Sequence, residues 1–262
     1  MNYRYFVGHR KPEFPIWKGF EYFELPPPKS DASELDLYLA DHRLLGNYAA
    51  LFYLCNQLSS QGNTKGQITI AQYRRMVLNI PLGIKSTNCP WYRVLSPEAI
   101  KTIPIQEEVL PLPGQSYLVG SGLELPNGML SNYAGSHYTR DILRFTANAV
   151  DCGVLDNTGA YLFLSQTFLI PAPSCGSFRL ESFIDIMTKL EKVTRSFFIA
   201  GYQMHDDPYQ GRVLDFLLER LNSYLLLEQL VNEGLDPSLV IGSTTLISDS
   251  LEVSRGQMAK SL

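Results

Sequence analysis

One segment, residues 210–231, constrains the fold more than any other part of the chain. Its pattern predicts a long helix whose apolar residues cover most of its surface. A helix of this kind has to be packed on most sides, so we expect it at the centre of the molecule. Residues 178–198 predict a second long helix, in which apolar residues recur with the period of roughly 3.6 residues typical of an amphipathic helix.

Short runs of β-forming residues accompany these helices. Residues 3–8 and 67–71 are apolar enough to predict buried strands, and residues 161–170 are dense in β-formers and predict another. Residues 47–58 and 132–150 predict further helices. Residues 81–130 are rich in proline and glycine and predict loops, with brief strands around Val94 and Val109.

The first strand runs directly into a cationic loop, Gly8-His9-Arg10-Lys11. A strand that opens at once into a polar loop is typical of an open α/β sheet, in which ligands bind at the carboxyl ends of the strands. We therefore predict a single α/β domain over residues 1–235, built as an open sheet with flanking helices. Residues 236–262 carry less pattern, and we predict a partly flexible C-terminal tail there.

Composition narrows the classes of function. The net charge is -4 and there is no long basic run, which argues against nucleic acid as a partner. The four cysteines are widely spaced and are interpreted as reduced, mostly buried thiols of a reducing compartment. The sequence has neither a secretory leader nor the run of about 18 apolar residues that a transmembrane helix needs. We expect a cytoplasmic protein, and peripheral contact with the inner face of the membrane remains open.

Two groups of cations are candidates for binding a phosphate-containing ligand. Arg74 and Arg75, next to Tyr73, follow the predicted strand 67–71, and guanidinium groups match the geometry of phosphate oxygens. His9 and Arg10 follow the first strand and could contact a nucleotide phosphate or base. The alternatives are a solvated or salt-bridged arginine pair and an ordinary cationic surface loop.

Two further groups are candidates for acid–base chemistry. His137 and Asp141 are four residues apart, so on one helix they would share a face and could act as a pair. A hydrogen-bonded structural histidine is an equally open alternative. Asp206 and Asp207 precede the central helix and resemble acidic pairs that hold a divalent ion. Capping of that helix also explains them.

Several familiar motifs are absent from the sequence. There is no phosphate-binding loop of the G-x-x-x-x-G-K-[ST] type, no G-x-G-x-x-G, no G-x-S-x-G and no H-E-x-x-H. An acidic D-x-D after an apolar strand, which many sugar-nucleotide transferases use to hold a metal, is also missing. We therefore assign no metal ligands and no certain cofactor, and a divalent cation (Mn²⁺ or Mg²⁺) remains open.

The order of short segments along residues 1–232 carries a resemblance to a known family. The segments are YFVGHRK, DHRLLGNYAALFYL, ITIAQYRR, NYAGSHYTRDI, FLIPAPSCGSFRLESFIDIMTKLEK and YQGRVLDFLLERL. The chain resembles a family of bacterial capsule and exopolysaccharide glycosyltransferases, long filed as a domain of unknown function, with a His-Tyr-Arg-Arg hallmark. The last segment is the most specific, because it fits the pattern Tyr-Gln-x-Arg-Val-x-x-Phe-x-x-Glu-Arg-Leu at each fixed position.

The resemblance implies a GT-A-like fold, a nucleotide-sugar donor, and a glycan or lipid-linked acceptor in surface polysaccharide (capsule, O-antigen or exopolysaccharide) biosynthesis. The donor-binding residues would be His9, Arg10, Tyr73, Arg74 and Arg75. The acid or base would come from His137, Asp141 or Asp207. Arg212 and Glu219, two turns apart on the central helix, would support the site, and a purely structural role for them is the alternative.

One departure from the family pattern bears on activity. The hallmark histidine is Gln72 in this chain, while Tyr73, Arg74 and Arg75 are kept. If that histidine carries chemistry, the protein is altered or inactive; if it only packs, glutamine can replace it. The alternative function is therefore a catalytically silent relative that binds a glycan or a partner protein.

Overall fold

A computed structural model describes residues 2–12, 14–62, 65–103, 105–202, 205–207 and 209–253. The strands are β1 (Asn2–Val7), β2 (Glu21–Phe23), β3 (Gln67–Gln72), β4 (Arg75–Leu78), β5 (Ile84–Lys85), β6 (Tyr92–Leu95), β7 (Leu118–Gly120), β8 (Leu123–Glu124), β9 (Phe168–Leu169), β10 (Gly176–Arg179) and β11 (Ile241–Ile247). The helices are α1 (Glu34–Leu39), α2 (His42–Leu45), α3 (Tyr48–Ser60), α4 (Pro97–Thr102), α5 (Gly128–Ala134), α6 (Thr139–Asp151), α7 (Asn157–Ser165), α8 (Leu180–Ile199), α9 (Val213–Asn232) and α10 (Pro237–Val240).

The main sheet runs in the order β2-β1-β3-β10-β7-β11-β6-β5. Strand β1 is parallel to β2 and β3, and β11 is parallel to β7 and β6. Strand β10 is antiparallel to both of its neighbours. Strand β4 pairs with β11 and also with β3, so the sheet departs from the simple open sheet that the sequence predicts.

Alternate residues of the parallel strands supply two apolar layers. Val7 and Ile70 belong to the larger core, which is covered by most of the helices, whereas Phe6 and Ala71 belong to a smaller core on the other side. This alternation follows from the two-residue side-chain period of a strand. The result is a mixed α/β domain with a sheet between two apolar layers.

Helix α9 confirms the central helix predicted from the sequence. Leu214, Leu217, Leu218 and Leu221 are all completely buried, and the helix belongs to the larger core. A 3₁₀ turn, Gln210–Arg212, leads into it. No helix within the described residues is long and apolar enough to cross a membrane. Cys55, Cys89 and Cys175 are free and buried, and Cys152 is free and half-buried, as predicted.

Three sequence-based assignments of secondary structure are wrong. Residues 161–170 form the end of α7 and then β9, because Asp156 caps the helix by accepting a hydrogen bond from the backbone of Gly159 (2.6 Å). Residues 132–150 are divided between α5 and α6, with a break at 135–138. Val109 lies in a turn instead of a strand, although its side chain is buried in the smaller core.

The expected end of the folded domain at residue 235 also needs correction. Residues 241–247 form β11, which pairs with β4, β6 and β7 inside the main sheet. Residues 241–247 show little hydrophobic pattern on their own, because this strand is stabilised by pairing with strands that lie far away in sequence. These residues therefore belong to the domain, and only residues 254–262 of the predicted tail lie outside the described residues.

Gly242→Ala tests the position of β11. A Cβ atom at Gly242 would lie 2.5 Å from the backbone oxygen of Leu78 and 2.6 Å from the side chain of Leu118. We expect a loss of about 1–3 kcal/mol in the free energy of unfolding, because such overpacking forces the strands apart. Thermal unfolding measures it.

Gly135→Ala is the matched control for that substitution. A Cβ atom at Gly135 would meet its nearest neighbours at 3.6 Å, which is an ordinary contact, so a change within about 0.5 kcal/mol is expected. Equal stability of the two variants would contradict a paired strand at residues 241–247.

Candidate functional site

A cavity of about 810 Å³ lies at the carboxyl ends of β1 and β3. Its walls come from the loop after β1, the turn after β3, helix α2, the segment before β10 and the first half of α9. The lining is mainly charged and polar, and it includes His9, Tyr73, Arg74, Arg75, Asp207, Arg212 and Glu219. Seven of the ten residues predicted to form or support a site are thus brought to one place.

The turn between β3 and β4 positions the two arginines. Tyr73 and Arg74 form a two-residue turn, and Arg75 begins β4. Arg74 is exposed at the edge of the cavity and makes no ion pair among the described residues. Arg75 is half-buried in the wall, with its guanidinium 5.5 Å from the centre of the Tyr92 ring. Exposed Arg74 can therefore move toward a ligand, whereas Arg75 is packed against Tyr92 in the cavity wall.

The environment keeps Arg75 charged. Burial alone lowers the pKa of its guanidinium, but the neighbouring Tyr92 and Glu219 raise it, and the net shift in pKa is upward. Its Nε atom is buried without a hydrogen-bond partner in the described part of the chain. A buried charged donor left without a partner is costly, so this atom is suited to an acceptor from a ligand.

The loop after β1 packs against this turn through Tyr73. The ring of His9 lies 5.3 Å from the Tyr73 ring and stacks on His42 at 5.4 Å. The guanidinium of Arg10 lies 4.3 Å above the same tyrosine ring. Burial, followed by the nearby His42 and Arg10 charges, lowers the pKa of His9. The two predicted cationic groups therefore form one cluster around Tyr73.

Helix α9 contributes carboxylates to the cavity wall near Arg75. Arg212 forms an ion pair with Asp215. The sequence analysis did not select Asp215, although it lies within the segment YQGRVLDFLLERL. Burial raises the pKa of Asp215, as does Glu219, while Arg212 opposes the shift. Gly46 packs directly on this carboxylate, and a Cβ atom there would overlap it.

Glu219 holds the segment that leads into β10. Its Oε1 atom accepts a hydrogen bond from the backbone N–H of Ala172 (2.6 Å). Ala172 has a φ of 52°, a left-handed conformation that is unfavourable for a residue with a Cβ atom. Both residues line the cavity, so this bond fixes one of its walls.

The structure separates His137 from Asp141. His137 precedes α6 and packs among the rings of Tyr133 (4.6 Å) and Phe216 (4.4 Å), while its Nδ1 atom lies 3.2 Å from Oε1 of Gln210. Burial lowers its pKa from 6.5 to about 4. Neither His137 nor Asp141 is among the described residues that line the cavity. The shared helix face expected from the sequence does not form, because α6 begins after His137.

Asp141 instead orients a histidine that the sequence analysis did not select. The Asp141 side chain is fully buried, and its Oδ2 atom lies 2.8 Å from Nε2 of His205. The hydroxyl of Tyr202 also lies 2.8 Å from that nitrogen, and the ring of Tyr138 stacks on the imidazole. His205 lines the cavity. No local pattern reveals this pair, since 64 residues separate its members.

Asp207 caps the 3₁₀ turn that leads into the central helix. Its Oδ1 atom accepts hydrogen bonds from the backbone N–H groups of Tyr209 (2.9 Å) and Gln210 (2.8 Å). This is the capping role considered as the alternative to ion binding. Within the described residues there is no group of three or more His, Cys, Asp or Glu side chains that could hold a metal ion.

Comparison with known proteins bears on the fold. No protein-family model matches the chain, and no curated protein matches it. The apo structure of the bifunctional glycosyltransferase WbbM is similar to it, with a TM-score of 0.69 and 14% sequence identity. The match covers 94% of this chain and 45% of the WbbM chain. This chain therefore has the fold of part of a glycosyltransferase.

The substitution His137→Phe tests whether His137 is a buried, neutral side chain with a structural role. In the folded protein its pKa lies at about 4, below the ordinary 6.5, so the unfolded chain binds the proton first as the pH falls. Between these values the folded state loses stability relative to the unfolded state, whereas above 6.5 the histidine is neutral in both. We expect the phenylalanine variant to lose less stability than the parent over this range, as measured by thermal unfolding against pH.

The carboxylates titrate in the same range in both proteins, so only the difference between the two curves is informative. Parallel curves would contradict the burial of His137 as a neutral side chain.

Proposed function

We propose that this protein is a glycosyltransferase that moves a sugar from a nucleotide-sugar donor to a glycan or lipid-linked acceptor in surface polysaccharide biosynthesis. The observation that carries the proposal is the single cavity that gathers His9, Tyr73, Arg74, Arg75 and Arg212 at the carboxyl ends of two parallel strands. The GT-A type of fold, a capsule, O-antigen or exopolysaccharide product, and a cytoplasmic location at or near the inner membrane face are parts of this proposal. They rest on the ordered segments of the sequence.

In this proposal the arginines bind the diphosphate of the donor. When the glycosidic bond breaks, negative charge develops on the leaving nucleoside diphosphate, and fixed cations lower the barrier by stabilising that charge. Arg75 is held by Tyr92 and needs no rearrangement, while exposed Arg74 closes on the ligand from the edge of the cavity. Arg10, whose guanidinium lies over the Tyr73 ring, extends the same positive surface, and His9 lines the cavity beside that ring.

The acid–base assignments have to follow the geometry. His137 lies behind Phe216 and outside the cavity lining, and Oδ1 of Asp207 is engaged as a cap. Among the sequence candidates, the residue best placed is therefore Asp141, acting through His205. We assign Asp141 as a positioning residue that fixes the imidazole of His205 in the cavity wall. A buried carboxylate that hydrogen-bonds one ring nitrogen fixes the orientation of a histidine, as acid–base sites require.

A catalytically silent relative that binds a glycan or a partner protein is the second candidate. Gln72, which stands where the family hallmark has histidine, lines the same cavity and is only 7% exposed. A missing catalytic group at this position would leave a site that still binds its ligand without turnover. This candidate differs from the first in a single measurable property, which is the release of nucleoside diphosphate.

A thermal-shift screen tests the proposal. The ligands are uridine, guanosine, cytidine and thymidine diphosphates and their sugars, each with and without Mn²⁺ or Mg²⁺. A donor that binds only the folded state should add about 2.7 kcal/mol of stability at a hundred times its dissociation constant. We expect one base to stabilise the protein, and its sugar to be transferred or hydrolysed. Binding without turnover would favour the silent relative, and no response to any nucleotide would contradict the donor site.

Arg74→Ala should weaken binding of that nucleotide by about tenfold to a hundredfold, which corresponds to the loss of one charge-assisted hydrogen bond. The fold should survive, because the side chain of Arg74 is exposed and lies over the Tyr73 ring. Isothermal titration calorimetry measures the affinity. Lys101→Ala removes an exposed cation on α4, away from the cavity, and should bind as the parent does. Unchanged affinity in the Arg74 variant would remove this arginine from the site.

A further inference from the structure

A second groove of about 590 Å³ lies beside the proposed donor cavity. It is formed where β4 and β7 end and where β6 and β11 begin. Its lining includes Asn79, Lys85, Trp91, Arg93, Ser121 and Glu124. None of these residues lines the first cavity, and the proposed donor site does not use them.

The two cavities are neighbours through a short series of packed side chains. The guanidinium of Arg75, in the wall of the donor cavity, lies 5.5 Å from the centre of the Tyr92 ring. The Tyr92 ring lies 6.2 Å from the ring of Trp91, which lines the second groove. A single buried tyrosine therefore separates the phosphate-binding side of one cavity from the aromatic wall of the other.

The backbone gives a second connection between the two cavities. A Cβ atom at Gly120 would lie 3.7 Å from the backbone oxygen of Pro171. The next residue after Gly120, Ser121, lines the second groove, and the next residue after Pro171, Ala172, lines the donor cavity. Adjacent stretches of backbone therefore line the two cavities.

The chemistry of the groove matches a carbohydrate. A pyranose ring has an apolar face of C–H groups, which packs on a flat aromatic ring, and an edge of hydroxyl groups, which need donors and acceptors. Trp91 is half-buried and provides the ring, while exposed Lys85 and Glu124 provide a donor and an acceptor.

The groove is also held in place by its own hydrogen bonds. Ser121 donates its hydroxyl to the backbone oxygen of Trp91 (3.2 Å), and Arg93 donates from Nε (3.1 Å) and Nη2 (2.8 Å) to the backbone oxygen of Gly83. Gly122 and Gly242 line it where a Cβ atom would overlap Phe168 and Leu78. A surface fixed in this way loses little freedom when a ligand binds, which favours affinity.

We propose that this second groove binds the glycan chain of the acceptor, with one sugar ring packed on Trp91. The inference rests on the proposed function, because the donor cavity supplies the sugar that an acceptor in the groove would receive. It identifies the acceptor as an oligosaccharide recognised beyond its terminal residue, in contrast to an acceptor recognised only at the hydroxyl group that is glycosylated.

The chain contains two tryptophans, which permits a direct test. Trp17 packs against Phe6 (4.8 Å) and Phe20 (5.3 Å) in the smaller core, so Trp17→Phe leaves Trp91 as the only tryptophan and keeps an aromatic ring in that core. The probes are linear trisaccharides of galactose, glucose, mannose, rhamnose and N-acetylglucosamine at millimolar concentration. We expect at least one to change the emission of Trp91 with saturation, and nucleoside diphosphates alone to leave that emission unchanged.

Two substitutions then separate the ring from the fold. In Trp91→Ala the affinity for the responding trisaccharide should fall by about tenfold or more in calorimetry, whereas Trp91→Phe should retain most of it. Both variants should keep the thermal stabilisation by the nucleotide that binds the parent. A trisaccharide that binds equally well to Trp91→Ala would overturn the proposal, as would the absence of a response to every trisaccharide. If the trisaccharide binds and no nucleotide does, the groove is supported and the proposed transferase function fails.

Discussion

The hydrogen bond from the backbone of Ala172 to Glu219 links the core of this protein to its candidate site. Ala172 has a left-handed backbone conformation, which costs a residue with a Cβ atom about 1–2 kcal/mol. A carboxylate that accepts a backbone N–H in a partly buried setting makes a strong hydrogen bond, and this bond offsets that cost. Because Glu219 lies on the central helix and Ala172 leads into β10, the bond fixes the helix, the sheet and one wall of the cavity together.

Helix α9 can serve both the core and the cavity because its two faces differ. Arg212, Asp215 and Glu219 follow one another at helical spacing and face the cavity, while Leu214 and Leu221 are completely buried. The segment YQGRVLDFLLERL therefore supplies both the buried face of the helix and the charged residues of the cavity wall. A structural role and a ligand-binding role for Arg212 and Glu219 are compatible, since the ion pair with Asp215 holds Arg212 and the hydrogen bond from Ala172 holds Glu219 in the cavity wall.

The sequence was sufficient where stability is local or where the apolar pattern is strong. The central helix, the two parallel strands at residues 3–8 and 67–71, and the cationic residues that follow them are examples. It failed where a distant contact decides the structure: residues 241–247 become a strand only by pairing with β4, β6 and β7. His205 was missed for the same reason, because its carboxylate partner is 64 residues away. The strand predicted for residues 161–170 was wrong because a helix cap at Asp156 outweighs the β-forming composition.

This chain shares a fold with part of WbbM although only 14% of the aligned residues are identical. Such a low identity is compatible with a shared fold, because helices and strands constrain the sequence only loosely. A central helix needs apolar residues at most positions, and many sequences meet that need. Other features of this chain depend on single positions, which lie far apart in the sequence. They are the turn at Tyr73 and Arg74, the left-handed residue Ala172 and the carboxylate of Glu219. The structural match extends over 94% of this chain and shows a shared fold, to which the apolar pattern of the core contributes at many positions. In this chain the ordered short segments contain both buried residues of the central helix, such as Leu214 and Leu221, and residues that line the cavity, such as Arg212 and Glu219.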